Sequence, residues 1–216
     1  MNNIGNDNEV AKILINIGAV KFDFENKFIL TSGKKSPVYV DCRRIISYIN
    51  ERNQILEIAE QYIKKNNIKF DILAGGETAG IPYASFLSQI FQKPMIYVRK
   101  KPKGFGKNKQ IEGNFKQQQK VLLIEDLATD GGSKINFIET LRNSKLVVSD
   151  IFVIFYYDIF DLNKSPLGSM NISIHSLCTW KDIINFISKN NIYAQDKIEN
   201  LKLFLSDPEL WREQNE

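Results

Sequence analysis

Val121-Leu-Leu-Ile-Glu-Asp-Leu-Ala-Thr-Asp-Gly-Gly-Ser133 places an apolar run, two neighbouring acids and a hydroxyl- and glycine-rich turn in thirteen residues. Residues 121–124 read as a buried strand, with Glu125 and Asp126 at its carboxyl end. After the turn 129–133, Ile135, Ile138 and Leu141 mark one face of a helix. A glycine-rich turn that opens a helix is a ready anion site. Its first N–H groups have no partner within the helix, and glycines let the backbone approach a phosphate closely. Thr129 and Ser133 add hydroxyl donors. Carboxylates repel phosphate, so Glu125 and Asp126 call for another partner: sugar hydroxyls, directly or beside a divalent cation.

The same grammar recurs on both sides of this stretch. Residues 70–74 form a short apolar run ending at Gly75-Gly76, and a helix is expected from about Gly80-Ile81-Pro82, where proline suits the first turn. Residues 95–98 make another strand, residues 147–156 the longest strand candidate, and residues 172–177 one more. Residues 51–66 carry Ile55, Ile58, Ala59, Tyr62 and Ile63 at helical spacing. Thr179 is placed to cap a helix bearing Ile183, Ile184 and Ile187, and a last stripe of Ile198, Leu201, Phe204 and Leu205 ends before Asp207-Pro208. Strands alternating with helices predict an α/β fold, a mainly parallel twisted sheet flanked by helices on both faces. Ligands of such sheets sit beyond the strands' carboxyl ends. Gly75-Gly76-Glu77, Arg99-Lys100 and Glu125-Asp126 are therefore expected on one rim. Residues 28–41 break the pattern, with two short apolar runs around a Ser/Gly/Lys/Pro turn, and read as a hairpin or small hood.

Composition narrows the class. With 216 residues, 43% hydrophobic and 25% charged, the chain suits one large globular domain, 1–216. The amino terminus shows no basic segment leading into an apolar run, and no stretch reaches the roughly 18 apolar residues of a membrane helix. The expectation is a cytoplasmic protein without a membrane partner. Cys42 and Cys178 form no C-x-x-C and read as reduced thiols, although an even count leaves one disulfide open. The net charge of +4 is modest for a nucleic-acid binder, and no nucleic-acid partner is expected. The cations cluster instead: Arg99, Lys100, Lys101, Lys103, Lys107 and Lys109 are interleaved with Gly104 and Gly106. That is either a solvated loop or a mobile anion clamp. It is no dinucleotide fingerprint, because Lys109 stands where a third glycine belongs, and residues 121–133 are no Walker A loop, because no lysine directly follows Gly131-Gly132.

The thirteen-residue stretch resembles the phosphoribosyl pyrophosphate (PRPP) signature of type I phosphoribosyltransferases. Three other segments resemble orotate phosphoribosyltransferases in particular. Residues 28–41, with Ser32-Gly33 and Ser36-Pro37, are similar to the hood that frames the base. Ala74-Gly-Gly-Glu-Thr-Ala-Gly-Ile-Pro82 resembles the pyrophosphate loop, and Arg99-Lys-Lys-Pro-Lys-Gly-Phe-Gly106 with Ile111-Glu-Gly113 the mobile catalytic loop. Four motifs in family order are more specific than any one of them. They imply the type I fold with a hood at about 20–45 and a mobile loop at about 100–113.

The resemblance also implies roles. Leu127, Ala128, Thr129, Asp130, Gly131, Gly132 and Ser133 would bind PRPP, with 129–133 holding its 5-phosphate and Glu125 and Asp126 its ribose hydroxyls. Gly76, Glu77, Arg99 and Lys100 would meet the pyrophosphate. Lys103 would reach over from the partner of a homodimer, so that the catalytic set is Lys103, Asp126 and Glu125. Tyr39 and Val40, through backbone groups, and Thr129 would bind orotate. Mg2+ would be held mostly by PRPP and water, with no protein ligand of its own. Phe105, Thr31, Ala79 and Ile159 stand where many relatives carry His, Lys, Lys and Arg, so the orotate carboxylate needs another cation: Lys35, Arg43 or Arg44. His175 and Cys42 are read as bystanders. Two other readings keep the PRPP motif: a purine or uracil phosphoribosyltransferase, which should lack the hood, and a PRPP-sensing regulator, which should carry an added nucleic-acid module.

Overall fold

The computed structural model describes residues 7–30, 33–102, 110–129, 132–159 and 167–215. In chain order the elements begin with α1 (Asp7–Asn16), β1 (Val20–Phe22), β2 (Phe28–Ile29), β3 (Lys35–Ser36), β4 (Val38–Val40) and a 3-10 segment, Cys42–Ser47. There follow α2 (Ile49–Lys65), β5 (Ile72–Gly76), α3 (Gly80–Phe91), β6 (Met95–Val98), β7 (Ile111–Glu112), β8 (Lys120–Ala128) and α4 (Gly132–Asn143). The chain continues through β9 (Val147–Tyr156), a short 3-10 turn, β10 (Ser173–Thr179), α5 (Trp180–Lys189), α6 (Gln195–Ser206) and α7 (Pro208–Asn215). Two compact units result, one of residues 53–177 and one of residues 1–52 with 178–216.

The 53–177 unit is built on a six-stranded sheet of order β10-β9-β8-β5-β6-β7. β6, β5, β8 and β9 run parallel, and β7 pairs antiparallel with β6. Every residue of β5 is buried, as are Val121–Glu125 of β8. This is the continuous apolar pattern of strands covered on both faces. Alternation assigns the faces. Ile72, Ala74, Val121, Leu123, Ile151 and Val153 join Phe137, Ile138 and Leu141 of α4 in one cluster. Leu73, Leu122, Ile124 and Phe152 point to the opposite face. There α3 contributes Tyr83, Ala84 and Leu87, and Tyr62 of α2 places its ring 6.0 Å from that of Phe152. Each fully buried side chain of this kind contributes roughly 1.5–3 kcal/mol. His175 lies on β10 with Nε2 2.8 Å from Asp150 Oδ1 and its ring beside Tyr62, a structural pairing distant in sequence from the four motifs.

Two sequence expectations are corrected here. β8 does not end at Ile124. The long partner β9 offers a ladder as far as Tyr156, so pairing continues through Glu125↔Val153 and Leu127↔Phe155 to Ala128↔Tyr156. The acids are thus strand residues with fixed directions. Residues 111–112, expected as part of a loop, form β7 and close that edge of the sheet.

In the other unit, the expected single hairpin at 28–41 is two short ladders: β2 pairs with β3, and β4 pairs with β1. Ser36, 1% exposed, divides them. Its Oγ donates to Val38 O (2.7 Å) and accepts from Val38 N (3.2 Å), which turns the chain at Pro37. The expected cap of α5 is present as a full capping box between Thr179 and Asp182. α6 ends at Ser206, before Asp207-Pro208 as expected, and Pro208 also opens a further helix, α7. Trp211 of α7 is buried, donates Nε1–H to Asn200 Oδ1 at 2.8 Å and meets the Phe204 ring edge-on. Arg212 donates from Nε to Lys35 O at 3.2 Å and pairs with Glu209 at 2.8 Å, while Glu209 also pairs with Lys34 at 2.6 Å. Cys42 and Cys178 are both buried and form no disulfide, and burial raises the Cys178 thiol well above its usual range.

Candidate active site

Three parallel strands deliver the expected rim. β5 ends in Gly76, whose successor Glu77 donates its backbone N–H to Val98 O at the end of β6 (2.9 Å). The Glu77 carboxylate then accepts from Lys100 N through Oε2 at 2.7 Å. Asn136, in the first turns of α4, donates to Lys100 O at 3.0 Å. Both polar groups of the Lys100 backbone are therefore held, one from the β5 loop and one from α4. Arg99 is fixed differently. Its backbone N–H donates to Gln110 O (2.8 Å), and its guanidinium faces Glu112 of β7 at 3.9 Å.

Glu125 sits on the α4 face of β8, only 6% exposed. Its Oε2 is 3.4 Å from Nζ of Lys134, which is 7% exposed. Its Oε1 is buried and has no hydrogen-bond partner among the described residues. A Cβ at residue 76 would overlap that oxygen, and one at residue 80 would come within 2.7 Å of it. The glycines of the 74–82 segment are thus needed twice, for the loop and for the carboxylate lying against it. Burial pushes the Glu125 carboxyl up to about 7; Lys134 opposes the rise, Asp126 adds to it and Lys100 lowers it again. Asp126 and Leu127 are half-buried and Ala128 is buried, its carbonyl accepting from Tyr157 N at 2.9 Å. Thr129 follows in a bend, and Gly132 and Ser133 begin α4, so that a helix amino terminus opens directly beyond the acids.

Lys103, Asp130 and Gly131 lie outside the described residues, as do Thr31 and Phe105. In the other unit, Tyr39 is 37% exposed with its ring 5.7 Å from Phe28, and Val40 is buried in the pairing with Val20. Of the three cations considered for the orotate carboxylate, Arg43 binds Asp41 (2.7 Å) and Arg44 donates to Ile17 O (3.0 Å) and Tyr48 Oη (3.3 Å). The backbone of Lys35 is held by Arg212.

Comparison with known proteins identifies the family. The phosphoribosyl transferase domain family matches residues 48–156. The orotate phosphoribosyltransferase of Ruegeria sp. (strain TM1040) is 41% identical over 207 residues, 95% of this chain and 92% of that protein. The chain belongs to the orotate phosphoribosyltransferase family. Its fold is the type I phosphoribosyltransferase fold. The orotate phosphoribosyltransferase structure from Aeropyrum pernix aligns with a TM-score of 0.71 and 28% identity, covering 86% of this chain and 99% of that one. The UMP synthase structure from Leishmania donovani aligns with a TM-score of 0.74 and 30% identity over 93% of this chain, which spans only 42% of that longer protein.

The residue that sequence reading missed is Lys134. It directly follows Ser133, the last residue of the thirteen-residue motif, and looks like an ordinary helix lysine. One signal was available: a cation in the first turn of a helix opposes the macrodipole and calls for a partner. Asn136, which anchors the Lys100 carbonyl, carried no such signal.

Proposed function

We propose that this chain transfers the phosphoribosyl group of PRPP to orotate, forming orotidine 5′-monophosphate and pyrophosphate, a step of UMP synthesis. The observation that carries the reading is the Glu125–Asp126 pair on β8. It runs directly into the α4 amino terminus, beside the Gly76-Glu77 loop and the anchored Lys100. One end of the rim suits a phosphate and the middle suits hydroxyls.

In this reading the 129–133 turn holds the 5-phosphate, and Leu127 and Ala128 set its position. Glu125 and Asp126 accept from the ribose hydroxyls. Arg99, Lys100 and the Gly76-Glu77 loop meet the pyrophosphate. As the C1–O bond to pyrophosphate breaks, positive charge grows on the sugar and negative charge on the leaving group. The basic segment stabilises the latter, and closing it over the site keeps water away from the cationic sugar. An orotate ring nitrogen supplies the electron pair for the new bond to C1, so no activated Ser or Cys is needed. Tyr39, Val40 and Thr129 would contact orotate, and Lys35, Arg43 or Arg44 would meet its carboxylate. Lys103 would act from the partner subunit of a homodimer. Mg2+ is proposed as a cation carried in on PRPP, neutralising pyrophosphate charge. Its ligands would come mostly from PRPP and water. No helix among the described residues is long and apolar enough to cross a membrane, which is compatible with the cytoplasmic location proposed.

The test is product identity. Incubation with PRPP, Mg2+ and an equimolar mixture of orotate, uracil and hypoxanthine should yield orotidine 5′-monophosphate by mass spectrometry. The nucleotide of uracil or hypoxanthine in its place overturns the base assignment.

A further inference from the structure

Within the 53–177 unit, α4 opens beyond Thr129 and reaches both roots of the basic segment with two side chains. Asn136 and Thr140 are four residues apart and share one helix face. Asn136 Nδ2 donates to Lys100 O at 3.0 Å, and Thr140 Oγ1 lies 3.5 Å from Gln110 Oε1. Gln110 in turn holds both backbone groups of Arg99: its carbonyl accepts from Arg99 N at 2.8 Å, and its Nε2 donates to Arg99 O at 3.2 Å. Lys100 N donates to the Glu77 carboxylate at 2.7 Å. Every backbone polar group of Arg99 and Lys100 is thus engaged, and Asn136 ties this pair of cations directly to α4. A helix is a stiff spacer, and Asn136 stands about 6 Å along the axis from Gly132. Asn136 is exposed and takes no part in the core face of α4, which is made by Phe137, Ile138 and Leu141.

This inference rests on the reading that the rim binds PRPP, with the 5-phosphate at the α4 amino terminus and the pyrophosphate at Arg99 and Lys100. We propose that Asn136 is a positioning residue: through the Lys100 carbonyl it fixes the pyrophosphate-side cations at a set distance from the phosphate turn. The pair of subsites then selects a sugar that is anionic at both ends. Asn136 acts only through Lys100 and does not itself touch the substrate. Without its donor, the Lys100 carbonyl turns to water and the backbone of Lys100 keeps one tether, to Glu77. Lys100 must then be ordered at the moment of binding, and that entropy cost weakens the pyrophosphate end. The 5-phosphate end is built on the helix itself and is untouched. A ligand with only that end, ribose 5-phosphate, should not sense the change.

The experiment is calorimetric titration of PRPP and of ribose 5-phosphate, each with Mg2+, into the wild type and the Asn136→Ala and Asn136→Gln variants. The readout is the ratio of the two affinities, which cancels any general damage to α4. Alanine is the better helix former at an exposed position, so Asn136→Ala should fold, and thermal unfolding checks it. Asn136→Ala should bind PRPP about two- to tenfold more weakly, the range for one hydrogen bond, with ribose 5-phosphate unchanged. Glutamine keeps the amide donor on a longer arm and should recover part of the ratio. An unchanged ratio in Asn136→Ala, whether both ligands hold or both weaken alike, overturns the proposal. So does a glutamine variant that loses as much as alanine. A wild type that binds PRPP no more tightly than ribose 5-phosphate rejects instead the reading of Arg99 and Lys100 as the pyrophosphate site, and this inference with it.

Discussion

Glu125 Oε1 occupies the space that a side chain on residue 76 would need, so the two positions, 49 residues apart in sequence, restrict each other's chemistry. Gly76→Ala would drive its methyl group into that oxygen and to 2.7 Å from the Phe137 ring, and both neighbours are buried. Overpacking of this kind costs about 1–3 kcal/mol. The variant should melt several degrees lower and show a raised KM for PRPP. An unchanged melting temperature and KM would mean that Glu125 does not lie against the loop.

The raised Glu125 carboxyl makes stability depend on pH with a definite sign. Its folded value is about 7 against an ordinary 4.5, so the folded state binds more protons between those values. The contribution is complete below about pH 4.5 and is lost as pH rises to about 7, a span on the order of 3 kcal/mol. Melting curves across this window should show the wild type losing stability with rising pH relative to Glu125→Gln. Parallel slopes for the two proteins would contradict the buried, proton-retaining carboxyl.

Two of the contacts between the carboxyl-terminal helix α7 and the hood hairpin differ in weight. Arg212 is largely buried and bonds Lys35 O, whereas the Lys34–Glu209 pair is exposed on both sides. Arg212→Met should therefore cost about 1–3 kcal/mol, the range for removing one partner of a buried polar group. Lys34→Ala should cost less than about 1 kcal/mol. Denaturant titration of the two variants decides, and a larger loss for Lys34→Ala would reverse the assignment of weight.

Catalysis in trans has its own test. Lys103→Ala should lower turnover while leaving PRPP binding largely intact, and Asp126→Asn should impair the PRPP site itself. Mixed under conditions of proven subunit exchange, the two impaired proteins should recover part of the activity in hybrid dimers. No recovery would place Lys103 in its own subunit's reaction.

Much of the sheet was legible because its strands are short apolar runs closed by Gly-Gly or by charge. Residues 95–98 and 147–156 match β6 and β9 residue for residue. The Thr179 cap was legible because a hydroxyl three residues ahead of an acid has one common use. β8 was cut short at Glu125, where polarity rose although its partner strand could still pair. β7 has two residues, too few to show any period. α7 is not legible because Asp207-Pro208 reads only as the end of the preceding stripe, whereas the proline both follows that end and sits in the first turn of the next helix. α1 presents Val10, Ile13 and Leu14 at helical spacing. In the site, the acids, glycines and basic cluster were visible as types in a spacing. The burial of Lys134 was not, because one lysine leaves no periodic trace and its partner is nine residues away on another element.

The most direct measurement is the fall in orotate absorbance on adding purified protein to PRPP and Mg2+, with wild type, Glu125→Gln and Asp126→Asn compared. Wild-type turnover of orotate, strongly reduced in both variants, is the result predicted. No turnover despite tight PRPP binding would contradict the account and make this a protein that senses PRPP without using it.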